Sequence, residues 1–146
     1  MRLNIDCIRD IMLWAEALTT PTASAQYVDI DMVEANSFMY FQEDEKPKPD
    51  QRQAELLTKY SNEVLVYHIN YCIEANLLTQ MQYNDTAVIV IRDLTPMGHD
   101  FIANIRHDTV FEKTKIVLNK LGVESLKAAV QVAANVASEI IKASIF

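Results

Sequence analysis

Gly98 and Gly122 are the only two glycines in the chain. Tight two-residue hairpins need backbone with positive φ, which glycine adopts without steric cost. Two glycines and four prolines are too few for a sandwich of many short strands, so helices must dominate. The 146 residues suit one domain, or a small domain with one appended helical element. Half of the residues are apolar, enough for a packed core. No stretch of 18 apolar residues occurs, and Met1–Asp6 lacks the apolar core of a signal peptide. Neither a membrane span nor export is expected. Cys7 and Cys72 are too few for a disulfide framework, which points to reduced thiols in a cytoplasm. Thirteen basic and twenty acidic side chains give a net charge of −7, which opposes non-specific attraction to nucleic acid.

Hydrophobic spacing sets out the elements. Ile8, Ile11, Met12, Ala15 and Leu18 recur at helical spacing over Asp6–Leu18, with Asn4 or Asp6 as cap. Pro21, among threonines, stops that helix. Gln26–Asp31 and Ser37–Gln42 read as two short strands, the first from the alternation of Val28 and Ile30 with Asp29 and Asp31. Glu43–Asp50 reads as a charged, solvated loop; from Asp29 to Asp50 seven acids and two bases carry −5. Gln51–Tyr60 forms a short helix with Leu56 and Leu57 inward, and Ser61 caps a second from Asn62 to Asn76. Thr79–Tyr83 and Thr86–Ile91 alternate as a hairpin around Asn84-Asp85, residues that tolerate left-handed backbone. Thr95 caps the next helix with Pro96 at its first position, where a missing N–H costs nothing. Asp108 caps a helix through Lys120, stopped by Leu121-Gly122, and a last helix runs from Val123 towards Phe146.

Helix, strand, helix, helix, hairpin is the order of a winged helix-turn-helix. The expected fold is therefore mainly α with a small β wing (α+β). Residues 1–107 would form the winged domain, and 108–146 a C-terminal helical extension for dimerisation. Three blocks narrow this: Met1–Ile11, Tyr67-His68-Ile69 with Glu74-Ala75, and Asp93–Phe101 with Asn104-Ile105-Arg106. In order and spacing they resemble the bacterial and prophage family called domain of unknown function 2513. That resemblance implies a winged-helix fold and a phage or prophage origin, and no activity.

Catalytic machinery is not expected. Two glycines cannot build a phosphate-binding loop. His68 and Cys72 share a helical face, but structural zinc needs four ligands and no second pair completes the set. His99-Asp100 and His107-Asp108 are adjacent in sequence, so on a helix they point apart and form no dyads. The Glu43-Asp44-Glu45 run lies in a loop unsuited to accurate acid–base placement. No cofactor and no metal is expected.

The second helix of a helix-turn-helix usually enters the major groove. Here Tyr60–Ile91 holds no Lys or Arg, and carries Glu63, Glu74 and Asp85. Leu65, Ile69, Cys72, Ile73 and Asn76 cluster on one side, leaving Glu63, Tyr67, Asn70, Tyr71 and Glu74 outward. Guanine reading and phosphate neutralisation both want bases, so this face suits a protein partner with the tyrosines as anchors. The last helix shows a wide apolar arc, with Leu126, Val130, Ala133, Ala137, Ile140 and Ile141 as an expected homodimer seam. The sequence thus points to a non-enzymatic, dimeric, protein-binding chain that interferes with a host system. The alternative is a DNA-binding regulator, with Arg92, Arg106, Lys113 and Lys115 on phosphates. An acidic DNA mimic also fits the net charge.

Overall fold

The computed structural model describes residues 1–122 and 124–145. Among them are seven α-helices and one three-stranded antiparallel sheet, a mainly helical α+β chain. Helix α1 (Ile5–Leu18) is capped by Asn4, not Asp6; the Asn4 Oδ1 accepts from the Cys7 N–H at 3.1 Å. It buries Cys7, Ile8, Ile11, Met12, Trp14 and Ala15. At its end Thr19 turns extended, and its N–H and hydroxyl both donate to the Ala15 carbonyl. The threonine thus satisfies a helix-end carbonyl while stopping the helix.

Strand β1 (Ala25–Val28) follows, and the expected strand over Gln26–Asp31 ends three residues early. The reason is its partner. β1 pairs antiparallel with β3 (Val88–Leu94), and Val28 stands opposite Val88, where β3 begins. One more backbone bond follows, from the Asp29 N–H to the Ala87 carbonyl at 2.7 Å, and there the ladder ends and Asp29 becomes an N-cap. Its Oδ1 accepts from the Met32 N–H at 3.2 Å and starts helix α2 (Ile30–Ala35). The expected strand over Ser37–Gln42 is also absent; Ser37–Met39 is a single 3-10 turn. Val33 and Tyr40 pack on Val28 and Ala87, which ties this inserted segment to the sheet. Glu43–Glu45 forms another 3-10 turn within an exposed loop.

Helices α3 (Gln51–Lys59) and α4 (Asn62–Glu74) come next. Leu56 is buried as expected, whereas Leu57 is only partly covered. Gln53 clamps the end of β1: its Oε1 accepts from the Val28 N–H (2.9 Å) and its Nε2 donates to the Val28 carbonyl (2.7 Å). A buried side-chain amide thereby stands in for a neighbouring strand, where unpaired backbone groups would each cost about 1–3 kcal/mol. Strand β2 (Leu78–Met81) pairs with β3, giving the order β1-β3-β2. Both hairpin strands sit a few residues from their expected bounds. Asp85 Oδ1 accepts from the Ala87 N–H in a wide turn, and the hairpin pairs only from Met81 opposite Val90, while Val88 and Ile89 pair with β1.

Asn76 was expected inward on α4 but lies exposed past its end, at φ 62°. Thr95 stitches this end to helix α5 (Pro96–Ile105): its hydroxyl donates to the Asn76 carbonyl (2.6 Å) and accepts from the Gly98 N–H (3.0 Å). Helix α6 (Asp108–Leu121) has His107, not Asp108, at its cap position; Asp108 instead pairs with Arg9 at 2.9 Å. Gly122 ends α6 in left-handed backbone, φ 66°. Helix α7 (Leu126–Ile145) closes the chain, started by Ser125, whose Oγ accepts from the Ala128 N–H. The expected helix ends at Val123 and Phe146 lie outside the described residues. One core cluster joins Ile8, Leu65 and Phe101 to Phe111, Leu118 and Leu126, so the helices after residue 107 share the core of those before it.

Candidate functional site

Helix α4 turns Leu65, His68, Ile69 and Cys72 inward. His68 is structural. Its Nε2 accepts from the Asn4 N–H (2.9 Å) and its Nδ1 donates to the Val64 carbonyl (2.8 Å), so both ring nitrogens are engaged. Cys72 beside it is fully buried, and burial pushes its thiol well above the ordinary range, with Cys7 adding to the effect. The two sequence-adjacent His-Asp pairs have partners elsewhere. His99 faces Asp93 at 3.6 Å, and Asp108 faces Arg9.

Outward on α4 lie Glu63, Asn70 and Glu74, all exposed, with Tyr67 38% exposed. Tyr71 departs from the expectation. It is half-buried against the main core, its ring centroid 6.1 Å from that of Tyr67, because the aromatic ring bridges the helix edge and the core rather than standing free.

Alongside this face lies α2. The buried Tyr27 hydroxyl donates to Asn62 Oδ1 (2.8 Å), and Asn62 Nδ2 donates to Asp29 Oδ1 (2.8 Å) and Asp31 Oδ2 (3.0 Å). Burial, and then the charge on Asp29, push the Tyr27 phenol up, which keeps it a proton donor to this chain of bonds. The network fixes α2 against the start of α4. Between them runs a groove of about 470 Å³ bordered by Met1, Met32, Ala35, Val66 and Tyr67, with Asp29, Asp31, Asn62, Glu63 and Asn70 around it. No Lys or Arg borders it.

A second feature escaped the sequence reading. Tyr40 is anchored, its hydroxyl donating to Asp85 Oδ2 at 2.7 Å; that bond, then burial, raises the phenol pKa. The side chains of its neighbours are not held in this way. Phe38, Met39 and Phe41 are 82%, 62% and 95% exposed. Such contiguous exposed apolar side chains mark an interaction surface more often than a solvated turn. The signal was the run Phe38-Met39-Tyr40-Phe41, which lacks both the helical period and strand alternation.

The bases sit elsewhere, and six of the thirteen pair with carboxylates among the described residues. Arg106 meets Glu16 at 2.6 Å, and Lys115 meets Asp6 and Glu112 at 3.2 and 3.3 Å. Half of the set expected to contact phosphate is thus already neutralised.

The expected seam on α7 is largely used within the chain. Leu126, Ala133 and Ala137 are buried, and Val130 and Ile140 are half-buried, because α5 and α6 both pack on this helix. Two covering helices account for the wide apolar arc. Ile141 and Ile145, in the last turns, stay 58% and 70% exposed.

Among the described residues no helix is long and apolar enough to cross a membrane. Neither a curated protein nor a solved structure matches the chain. A family match does exist: it spans residues 2–124, from just before α1 through α6, and covers the three blocks that carried the resemblance apart from Met1. The chain belongs to the family described as hypothetical protein (DUF2513).

Proposed function

We propose that this chain is a non-enzymatic, cytoplasmic winged-helix protein of phage or prophage origin that acts on a host system by binding a protein partner. The order α1, β1, α3, α4, β2, β3, with β1 paired to β3, fits a winged helix-turn-helix over residues 1–107. α4 then takes the place of the recognition helix. One observation carries the functional reading: from Tyr60 to Ile91 this helix and hairpin hold no Lys or Arg, while Glu63 and Glu74 stand exposed. A phosphate backbone would be repelled there, and a protein surface would not.

The test is a gel shift on random duplex DNA at physiological salt, beside capture from a host lysate with and without nuclease. No shift at sub-micromolar protein and a nuclease-resistant partner are expected. A salt-sensitive shift abolished by Asn70→Ala would favour the DNA-binding regulator.

Self-association is part of the proposal, now confined to the end of α7. Replacing Ile141 and Ile145 by Asp should turn a dimer into a monomer in light scattering, with the melting temperature unchanged because neither side chain is buried. An unaltered protein that is already monomeric removes the dimer.

A further inference from the structure

We infer that the groove between α2 and α4 seats a basic amphipathic segment of the protein partner, and this rests on the protein-binding reading above. The groove has two chemistries. Met32, Ala35, Val66 and Tyr67 give it apolar walls, and Met32 and Tyr67 keep 40% and 38% of their surface in water. Asp31 and Glu63 are exposed at its edge, one from each helix, and no Lys or Arg side chain offsets them there; with Asp29 they outnumber the single amino group, that of Met1, which also borders the groove.

Charge complementarity selects the occupant. Nucleic acids and anionic lipid surfaces meet the wrong sign, and a purely apolar segment would leave two carboxylates facing a low-dielectric contact. A helix with apolar anchors at i, i+3 or i+4 and Lys or Arg beside them satisfies both parts. The groove already has its shape. Asn62 holds Asp29 and Asp31 at fixed distances, so α2 and α4 need no rearrangement to receive a ligand.

The full chain is titrated with a labelled 18-residue Leu/Lys amphipathic peptide, a Leu/Glu counterpart, and a Ser/Lys peptide of equal charge without apolar residues. Binding is read by anisotropy. The Leu/Lys peptide should bind, and the other two should bind about tenfold more weakly or not at all. Asp31→Asn with Glu63→Gln should weaken the Leu/Lys peptide about tenfold, as should Met32→Ser. Glu43→Gln with Asp44→Asn removes the same charge from the loop and should leave binding within about twofold. Melting curves verify that each variant is folded. No binding of the Leu/Lys peptide, equal binding of the Ser/Lys peptide, or equal loss in the loop variant overturns the groove assignment. Lysate capture separates the two levels: a nuclease-resistant partner that tolerates the groove substitutions overturns the groove and leaves the protein-binding reading. A captured set that vanishes with nuclease removes that reading itself.

Discussion

Alanine in place of Gly98 is expected to destabilise the protein by about 3 kcal/mol or more, the upper range for overpacking. A Cβ there would lie 2.1 Å from the carbonyl oxygen of Leu77, 3.0 Å from its carbon and 3.2 Å from Met12 Cε. The methionine end can move, but the carbonyl cannot. It accepts from the Thr95 N–H at 3.0 Å, and Thr95 in turn holds the Asn76 carbonyl and the Gly98 N–H. Pushing α5 away would break this junction between α4, the sheet and α5 at once. At about 2–4 °C per kcal/mol for a chain of this size, the melting temperature should fall by roughly 10 °C. Gly122→Ala is the control. Its φ is 66° but nothing lies within 4 Å of an added Cβ, so only backbone strain of about 1–2 kcal/mol is paid. Should Gly98→Ala melt within about 2 °C of the parent, the close approach of α5 to Leu77 is wrong.

The same junction shows why much of the fold was legible. Caps are local chemistry: Ser61, Thr95 and Gly122 each act through atoms within a few residues, and each was readable from the sequence. What failed was decided at long range. The end of β1 depends on where β3 starts, some sixty positions later, and no property of Gln26–Asp31 itself encodes that. Asp29 alternates correctly for a strand and caps correctly for a helix, so local pattern left both open. On α7 the apolar arc follows from helical spacing, while which helices cover it, α5 and α6, is decided at long range.

For the candidate site, the sequence supplied one wall. The lack of bases on α4 and the outward positions of Glu63, Tyr67 and Asn70 follow from helical geometry alone. The opposite wall needs α2, which was hidden inside an expected strand, so Met32 and Ala35 had no place in the reading. Phe38 and Phe41 were hidden for a different reason. In their run only the Tyr40 side chain finds a partner, Asp85 in the turn between β2 and β3, and the Phe38 and Phe41 rings stay exposed.

Stability is expected to fall steeply as pH rises above 9, and the buried thiols set where the fall begins. Burial, with Asp10 adding, raises Cys7 from 9.0 to about 12. Burial, with Cys7 adding, raises Cys72 further still. In the unfolded chain both thiols lose their protons near pH 9, whereas the folded chain holds them. Their contribution is therefore complete below pH 9 and is lost as pH climbs towards the folded values. Each thiol lowers the unfolding free energy by up to about 1.4 kcal/mol per pH unit in that window. Between pH 9 and 11 the pair removes about 4 kcal/mol, a large part of the roughly 5–15 kcal/mol that holds a domain folded. Tyr27 and Tyr60, raised above 10.0 by burial first, steepen the decline from about pH 10. Urea midpoints at pH 8, 9, 10 and 11 measure it. Cys7→Ala with Cys72→Ala should start from a lower midpoint, because small cavities open, yet lose less of it between pH 9 and 10. At pH 8 a thiol reagent should leave the folded protein unlabelled and modify both cysteines in urea, as fully buried side chains require. A midpoint that stays level to pH 11, or a double variant with an undiminished slope, would show that Cys7 and Cys72 are not sealed between α1 and α4.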